Sequence, residues 1–419
     1  MRKNVILVLL VLGVSVGLFG QFGYTLNMFE PETIDARSEA LGRTSILSSS
    51  GANFIFNNPA MLSNLDFKNV QFNGRAVFGK TEIKEKYEED GDTYTYKYEY
   101  NYPFHMKLNG LAFGMPYEMP NMKLGFGAGF RTYYDLGFNI HYESDEEGSN
   151  YEWDRKYHGG FSTLVLGGGL NYQKKFFGGI SMSFPFLSNF SSETEYKEDG
   201  YDDDYETEGT MKGSFFTLSG SYILNETITF GLRLRTGFTL EWEEEDDDGD
   251  DWEADIIIPS EFGLAIEMKP NPSLKLYAEY LTRGFGDFEV EDNYGDQDLY
   301  EDSDNGYSLR TGFEAGTNNV FRGGFFMQSV PVYEMESYYN DNWEEWDLRN
   351  DDKPQTEIGF TTGFGVKINP NLSIDIFGSY SFLNYDENYE YYDYYDDIQI
   401  SNEYSYSKIK IGCSMGYNF

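Results

Sequence analysis

Arginine is the residue type in this sequence best suited to binding an anion. Five arginines fall on the less apolar face of long alternating segments, at Arg131, Arg233, Arg235, Arg310 and Arg322. A guanidinium group can hold a carboxylate or phosphate through two parallel hydrogen bonds. Acidic residues on the same faces can pair with these arginines instead, because charges removed from water must be paired. The sequence predicts either an anion-binding site or internal ion pairs, and the many inner acids favour the ion pairs.

Other kinds of chemistry find little support. The three histidines, His105, His141 and His158, are too few and too dispersed in the sequence to define a metal site. No Ser-His-Asp order can be argued from spacing alone, and a formal net charge of -40 opposes nucleic-acid binding. We expect a protein that is not an enzyme and has no cofactor. Acidic segments such as 143–154 and 244–255 loosely imitate calcium loops, and we expect them to collect Ca²⁺ or Mg²⁺ only diffusely.

The segments that carry the arginines read as long β-strands. In residues 123–142 the even positions are apolar, from Leu124 through Phe130 to Ile140, and the odd positions are glycine or polar. Residues 228–242 and 358–368 divide in the same way. Ordinary strands have about 5–6 residues, and these runs are roughly two to three times longer. An apolar stripe of this length is typical of a transmembrane β-barrel, with the stripe facing lipid and a wet lumen behind it.

The connections predict how many strands there are. Short turn sequences such as 118–121, 173–175, 224–227, 270–273, 317–319 and 369–371 alternate with long acidic links such as 143–154, 197–208, 243–251 and 385–397. Six short turns and seven long acidic loops join fourteen antiparallel strands. Bacterial outer-membrane barrels have an even strand count, short periplasmic turns and longer outer loops. The fold class is therefore all-β, with the acidic loops extracellular and both termini periplasmic.

The two ends of the chain indicate export and assembly. Arg2 and Lys3 precede an apolar run that extends to Phe19, which predicts a signal peptide over residues 1–20. An uncleaved anchor is the weaker alternative, because a spanning helix needs about 20 apolar residues. The last segment, 408–419, carries an apolar stripe and ends on Phe419. This pattern resembles the C-terminal signal that presents outer-membrane barrels to the barrel assembly machinery, so we expect that machinery and membrane lipids as partners.

The segment before the first predicted strand carries a family resemblance. Residues 34–66 resemble the N-terminal segment of the FadL/TodX-type family of outer-membrane hydrophobic-compound transporters. The matching residues are Ala36, Arg37, Ala40, Leu41, Gly42, Gly51, Ala52, Leu62 and above all Asn58-Pro59-Ala60. Met61 stands where the family usually has glycine. Secretion-associated barrel proteins related to that family resemble this segment too.

The resemblance implies an N-terminal plug that fills the lumen, here residues 21–66, followed by a barrel over residues 67–419. Asn57, Asn58, Pro59 and Ala60 are the candidate plug and gating residues. Proline fixes its own φ and favours an extended residue before it, and asparagine amides can bond backbone groups left unpaired. The alternative is a simple tight turn that leads into the first strand.

Two functions follow from these observations. The resemblance implies a channel or transporter for a small hydrophobic compound such as a fatty acid, bound in the lumen and gated by the plug, with the five arginines as candidate ligand-binding residues. The alternative is a non-transporting surface or scaffold barrel, either secretion-associated or cation-binding. The acidic outer segments favour this alternative, because they repel a fatty-acid carboxylate.

Overall fold

The structure is a computed structural model that describes residues 34–89, 92–146, 149–198, 201–246, 251–284, 289–292, 295–297, 306–330, 336–339, 346–349, 355–392 and 397–419. The predicted signal peptide and residues 21–33 of the predicted plug lie outside this part of the chain. Among the described residues, no helix is long and apolar enough to cross a membrane.

The chain forms one closed antiparallel β-barrel. The described strands are β1 (Asn69–Glu89), β2 (Asp92–Met119), β3 (Met122–Asp135), β4 (Asn139–Glu146), β5 (Ser149–Tyr172), β6 (Phe176–Pro185), β7 (Asn189–Glu198), β8 (Tyr201–Lys212), β9 (Phe215–Ile223), β10 (Ile228–Arg235), β11 (Phe238–Asp246), β12 (Asp251–Ile258), β13 (Glu261–Asn271), β14 (Leu274–Arg283), β15 (Glu289–Asp292), β16 (Gly295–Gln297), β17 (Gly306–Gly316), β18 (Asn319–Val330), β19 (Glu336–Tyr339), β20 (Trp346–Arg349), β21 (Gln355–Lys367), β22 (Leu372–Tyr392) and β23 (Asp397–Asn418). All of them belong to the barrel sheet except β19 and β20, which pair with each other in a separate two-stranded sheet. The barrel strands form fourteen passes of the chain between the two ends of the barrel, and β1 pairs with β23 to close the wall. The predicted strand count is confirmed.

The acidic links are strand rather than loop over most of their length. β11 continues to Asp246 and pairs with β12 from Asp251 onward, and β4 pairs with β5 in the same way. The prediction of long acidic loops is therefore wrong in extent, because the described parts of residues 143–154 and 244–255 lie in paired strands. The reason lies in the residues that alternate with the acids: Trp153 and Trp252 pack against the apolar interior, and Trp242 lies within it.

Six neighbouring passes are interrupted at one level of the wall. Strand pairing stops at residues 136–138, 186–188, 213–214, 236–237 and 259–260, and β5 carries two glycines with positive φ, Gly159 and Gly160, at the same height. Register confirms the alignment, because Asp135 lies opposite Gly160, and Arg235 lies opposite Glu261. We call the part of the barrel next to the short turns the turn half, and the part of these six passes beyond the breaks the extension.

The wall reverses its polarity at these breaks. In the turn half the outward side chains are apolar and exposed, as at Phe126, Ile180 and Leu232, and the inward ones are small, polar or charged. In the extension the outward side chains are exposed acids such as Glu241 and Asp255. The inward side chains there are mainly aromatic or aliphatic, with a few buried polar ones such as Thr194. An outward apolar band is typical of the lipid-facing part of a transmembrane barrel, and the acid-faced extension suits water.

The predicted apolar stripe is correct in the turn half and wrong in the extension. Leu136, Phe138 and Ile140 are buried inside the barrel, as are Phe238 and Trp242, although alternation alone places them on the lipid face. A register shift between Thr132 and Tyr134 and the breaks that follow change which alternate residue points inward. A shift of one residue moves every later side chain to the opposite face of a strand.

Residues 34–66, which we call the luminal segment, lie inside the turn half. The segment contains α1 (Ala36–Ala40), α2 (Phe54–Asn57) and two short 3₁₀ helices, Gly51–Asn53 and Pro59–Asn64. Asp35 caps α1 by accepting a hydrogen bond from the Ser38 amide. Five of its backbone amides donate to side chains of five different strands: Ala36 to Ser414, Gly42 to Thr361, Ser45 to Glu279, Ala52 to Asn69 and Ala60 to Ser219.

Candidate functional site

The Asn-Pro-Ala turn of the luminal segment is bonded to the wall and to its own chain. Asn58 has an extended φ of -150° before Pro59, as expected for a residue that precedes proline. Its side-chain nitrogen, Nδ2, donates to the Ile46 carbonyl at 2.7 Å and to the Ser221 hydroxyl at 3.0 Å. The Ala60 amide donates to the Ser219 hydroxyl at 3.0 Å. The turn therefore links two parts of the luminal segment to β9.

Two wall glycines let this turn approach the barrel closely. A Cβ atom placed on Gly169 would lie 2.3 Å from the Pro59 carbonyl oxygen, and one on Gly179 would lie 2.1 Å from the Ala60 nitrogen. Both obstacles are backbone atoms, so they cannot be relieved by a change of rotamer. Glycine at these two positions is what allows the backbone of the turn to lie directly on the wall.

Arginines of the luminal segment pair with acids of the wall. Arg37 binds Glu314 of β17 at 2.9 Å and donates to the Tyr277 hydroxyl at 3.0 Å. Arg43 lies 3.8 Å from Glu357 and stacks on the Phe326 ring. The Arg43 contacts are buried and those of Arg37 partly buried, and both arginines belong to larger charge networks, because Glu314 also pairs with Arg322 and Arg43 also pairs with Glu39. They hold the luminal segment to the opposite side of the barrel from the Asn-Pro-Ala turn.

Burial also acts on Asp35, the residue that caps α1. Burial raises the pKa of the Asp35 carboxyl from 3.8 to about 6, although the hydrogen bonds from the Ser38 amide and hydroxyl and the nearby Arg37 favour its charged form. The Asp35 side chain lies fully within the barrel. It is a titratable group of the luminal segment close to neutral pH.

Three of the five predicted arginines lie together at the level of the breaks. Arg233 and Arg235 both pair with Glu261 of β13, which Arg283 also contacts at 3.0 Å. A single buried carboxylate thus serves three guanidinium groups. Arg131 lies over the Tyr133 ring with its guanidinium carbon 4.7 Å from the ring centroid, and Arg235 lies over the same ring at 5.3 Å. We call Arg131, Arg233, Arg235, Arg283 and Glu261 the arginine cluster.

The other two predicted arginines lie apart from this cluster. Arg310 donates to the Arg43 carbonyl at 3.0 Å and lies 3.8 Å from Glu279. Arg322 pairs with Glu314 at 2.8 Å and with Asp375 at 2.7 Å. Four of the five predicted arginines are thus in ion pairs with wall acids, which is the alternative that the number of inner acids favoured.

A group of apolar side chains fills the lumen next to the arginine cluster. We call it the aromatic cluster, and its members are Tyr133, Tyr134, Leu136, Phe138, Ile140, Tyr157, Phe161, Phe190, Met211, Phe215, Phe238, Leu240, Trp242, Ala254, Ile256 and Ile258. Ring pairs such as Phe215 and Phe238, with centroids 4.9 Å apart, stack within it. Most of these side chains are fully or almost fully buried. The cluster therefore forms a packed apolar interior in the extension.

Two polar atoms at the boundary between the clusters are unsatisfied. The Tyr133 hydroxyl and Arg233 Nε are buried, and neither has a hydrogen-bond partner among the described residues. Buried polar groups are nearly always bonded, so each such atom needs an explanation, such as a water or a ligand. Of the two, the Tyr133 hydroxyl belongs to the ring over which Arg131 and Arg235 lie.

Solved structures share the barrel fold of this chain. A FadL homologue of Pseudomonas aeruginosa matches with a TM-score of 0.60 at 13% identity, covering 93% of this chain and 99% of that one. The toluene transporter TodX of Pseudomonas putida matches with a TM-score of 0.55 at 14% identity, covering 93% and 99%. The chain has a FadL/TodX-type fold.

A third solved structure with the FadL/TodX-type fold is the toluene transporter TbuX of Ralstonia pickettii, with a TM-score of 0.52 at 11% identity, covering 93% of this chain and 100% of that one. These three structures are described as a FadL homologue and two toluene transporters, and none as an enzyme. No protein-family model matches the chain, and no curated protein matches it.

Sequence reasoning missed the aromatic cluster and the central place of Glu261. The cluster was hidden because its residues continue the alternation of the lipid-facing stripe without interruption in the sequence. One signal was available: beyond Gly237 the residues between the apolar ones change from Thr and Arg to Glu. A strand whose polar face becomes strongly acidic has left the membrane, so its apolar face must pack inward.

Proposed function

We propose that this protein is an outer-membrane channel that takes up small hydrophobic compounds, with the luminal segment as its plug. The exposed apolar band of the turn half fits a lipid bilayer, and the acid-faced extension would stand outside it. In this proposal the short turns lie in the periplasm. The outward apolar stripe of β23, which ends at Phe419, would then be available to lipid and to the assembly machinery.

The observation that carries the proposal is an aromatic cluster inside the lumen, next to buried arginines. Apolar ligands bind in sites lined by hydrophobic and aromatic side chains with a few polar groups. The related folds include two described as toluene transporters. Because the rings are packed against each other, a ligand must displace some of them to enter.

The arginine cluster favours a hydrophobic compound that carries an acid group, such as a fatty acid. Arg131 and Arg235 face the same ring, Tyr133. A carboxylate placed there would add a counter-charge to guanidinium groups that now share Glu261, and it could accept from the unsatisfied Tyr133 hydroxyl. The hydrocarbon tail would lie among the rings.

Passage to the periplasm requires the luminal segment to move. Its amides and arginines are bonded to strands around the barrel, and Asn57 accepts a hydrogen bond from Arg233 at 3.1 Å. Arg233 belongs to the arginine cluster, so a ligand that engages this cluster competes with a contact that holds the plug. This contact offers a route from ligand binding to plug release.

The test uses a fatty acid with a brominated tail as a fluorescence quencher. Trp242 lies in the aromatic cluster, with its ring centroid 4.5 Å from that of Phe190. In the detergent-purified barrel, the bromo-fatty acid should quench Trp242 in a saturable manner, and Trp242→Phe should lose that component. A charged hydrogen bond is worth about 1.5–3 kcal/mol, so Arg235→Gln should weaken fatty-acid binding by roughly 10- to 100-fold.

Toluene separates the coarse proposal from the finer one. If toluene displaces the bromo-fatty acid but Arg235→Gln binds this fatty acid as tightly as the wild type, the lumen binds hydrocarbons and the arginines do not hold the acid group. If the bromo-fatty acid gives no saturable quenching and toluene does not change Trp242 fluorescence, the transport proposal is contradicted altogether.

The second candidate function is a non-transporting scaffold barrel, and one observation favours it. The aromatic cluster is packed closely enough to serve simply as the hydrophobic core of the extension. Under that reading, wild-type protein binds neither probe, and the acid-faced surface of the extension is the functional part.

A further inference from the structure

The outer face of the extension brings a histidine next to two carboxylates. His141 of β4 lies directly opposite Asp154 of β5, and Glu152 lies two residues before Asp154 on the same face. Their neighbours in sequence point the other way: Ile140 belongs to the aromatic cluster, and Trp153 packs against it. The three side chains are therefore on the outside of the barrel, away from the lumen and its candidate ligand site.

The donor atoms of these side chains are already close together. His141 Nδ1 lies 2.9 Å from an Asp154 oxygen and 3.8 Å from a Glu152 oxygen, and one donor atom from each residue lies within 4.8 Å of the other two. Tetrahedral zinc with bonds of about 2.0–2.1 Å holds its ligand atoms roughly 3.3 Å apart. The two distances from His141 lie on either side of that value, each within about half an ångström of it, and the third, between the two carboxylates, is at most 4.8 Å.

A neighbouring acid on one side of this group is neutralised by lysine. Glu99 of β2 lies opposite His141 in the sheet, and it is bonded to Lys80 at 2.8 Å and to Lys97. Its charge is therefore already balanced. It is a second neighbour to the group and is not needed as a ligand.

An acid on the other side of this group is also neutralised by a lysine. Glu195 of β7 lies opposite Asp154 and pairs with Lys156 at 3.0 Å. Lys197 of β7 lies opposite Glu152 in register. In the described part of the chain, however, neither Glu152 nor Asp154 has a lysine or arginine nitrogen within 4.0 Å. Two carboxylates beside one imidazole are thus left without a cationic side chain bound to them.

We propose that His141, Glu152 and Asp154 form a binding site for a divalent transition-metal ion of the zinc class. An imidazole nitrogen suits zinc, copper or nickel, whereas calcium and magnesium prefer oxygen ligands alone. Three protein ligands leave a fourth position for water in a tetrahedral site. The metal would join β4 to β5 in the extension. Histidine spacing cannot reveal such a site, because it uses one histidine and obtains its other ligands from the next strand.

The experiment measures zinc binding to the full-length barrel in detergent by calorimetry, in the presence of excess Ca²⁺. The calcium saturates diffuse carboxylate sites on the acidic surface, which leaves a site selected by imidazole. Replacing zinc with Co²⁺ adds a visible absorption band that reports coordination. The wild type should bind one zinc ion per barrel and show that band.

A matched pair of histidine variants decides the outcome. Loss of an outer-shell partner of a metal ligand costs about 10- to 100-fold in affinity, so loss of a direct ligand in His141→Asn should cost at least about 100-fold. His158→Asn is the control, because His158 is also exposed on β5 and lies opposite Ser191 rather than an acid. Asp154→Asn should weaken binding as well, with the barrel's resistance to SDS before heating as the check on folding.

Two results would overturn the site. One is the absence of stoichiometric zinc binding to the wild type in excess Ca²⁺. The other is equal affinity in His141→Asn, His158→Asn and the wild type, which would place the bound zinc elsewhere on the surface. Neither result bears on the lumen, so the proposed transport function is tested separately.

Discussion

A single methyl group on Gly179 should displace the luminal segment from the wall. In Gly179→Ala the new Cβ atom would lie 2.1 Å from the Ala60 nitrogen, whereas ordinary contacts begin at 3.4 Å. The backbone of Pro59 and Ala60 must then retreat by more than an ångström. Overpacking of this kind costs about 1–3 kcal/mol.

The retreat also breaks a buried hydrogen bond. The Ala60 amide is 3.0 Å from the Ser219 hydroxyl, and a further ångström takes it out of bonding range. An unsatisfied buried amide costs about 1–3 kcal/mol, so the two effects together destabilise the docked turn by about 2–6 kcal/mol. Since 1.4 kcal/mol corresponds to a factor of ten, amide exchange in residues 54–64 should accelerate by at least about 30-fold.

Hydrogen–deuterium exchange with mass spectrometry on the detergent-purified barrel measures this directly. The control is Gly178→Ala on the same strand, where an added Cβ has nothing within 4 Å. The control should exchange like the wild type. If residues 54–64 exchange equally in both variants, the turn does not depend on close contact with Gly179 and our account of the docking is wrong. A higher single-channel conductance in Gly179→Ala alone would add support for a plug.

Two further predictions concern charge in the lumen. Glu261→Gln removes the buried carboxylate shared by three arginines and should destabilise the barrel by about 3–5 kcal/mol, lowering the temperature at which it loses SDS resistance. Glu253→Gln, at an exposed acid of the extension, is the control, and equal transition temperatures would refute the central role of Glu261. Because burial raises the pKa of Asp35 from 3.8 to about 6, the folded state holds its proton more tightly than the unfolded state. Protection of the luminal segment from exchange should therefore be highest below about pH 4 and decline as the pH rises through 6, by up to about 3 kcal/mol, and Asp35→Asn should abolish this dependence.

The architecture of the turn half follows directly from sequence pattern. Alternation and turn chemistry were enough to give fourteen strands, because lipid outside and polar side chains inside impose a strict period of two. The closed pairing of β1 with β23 could be inferred from an even strand count. The positions of the strand ends were harder to predict, because an acidic hairpin and an acidic loop have the same composition.

Alternation alone could not predict which side chains of the extension point inward, because the outer face of the extension suits water, whereas that of the turn half suits lipid. Phe126 and Phe238 look alike in their alternating segments, yet Phe126 faces out and Phe238 faces in. What separates them is a break of two residues, at 236–237 in the second case. The arginine positions were inferred from the turn half, where alternation holds, but Glu261 as their common partner depends on the pairing of β10 with β13.

On the two sides of the aligned breaks, opposite members of the alternating residues point into the lumen. This constrains where a residue can be inserted or deleted. Deleting one residue inside β11 would turn Glu241 and Glu243 into the lumen and put Trp242 outside, so it would empty the aromatic cluster and charge its place. Deleting a residue at 236–237 changes only the connection between β10 and β11. Single insertions and deletions in these passes are therefore tolerable at the breaks, and elsewhere only in pairs.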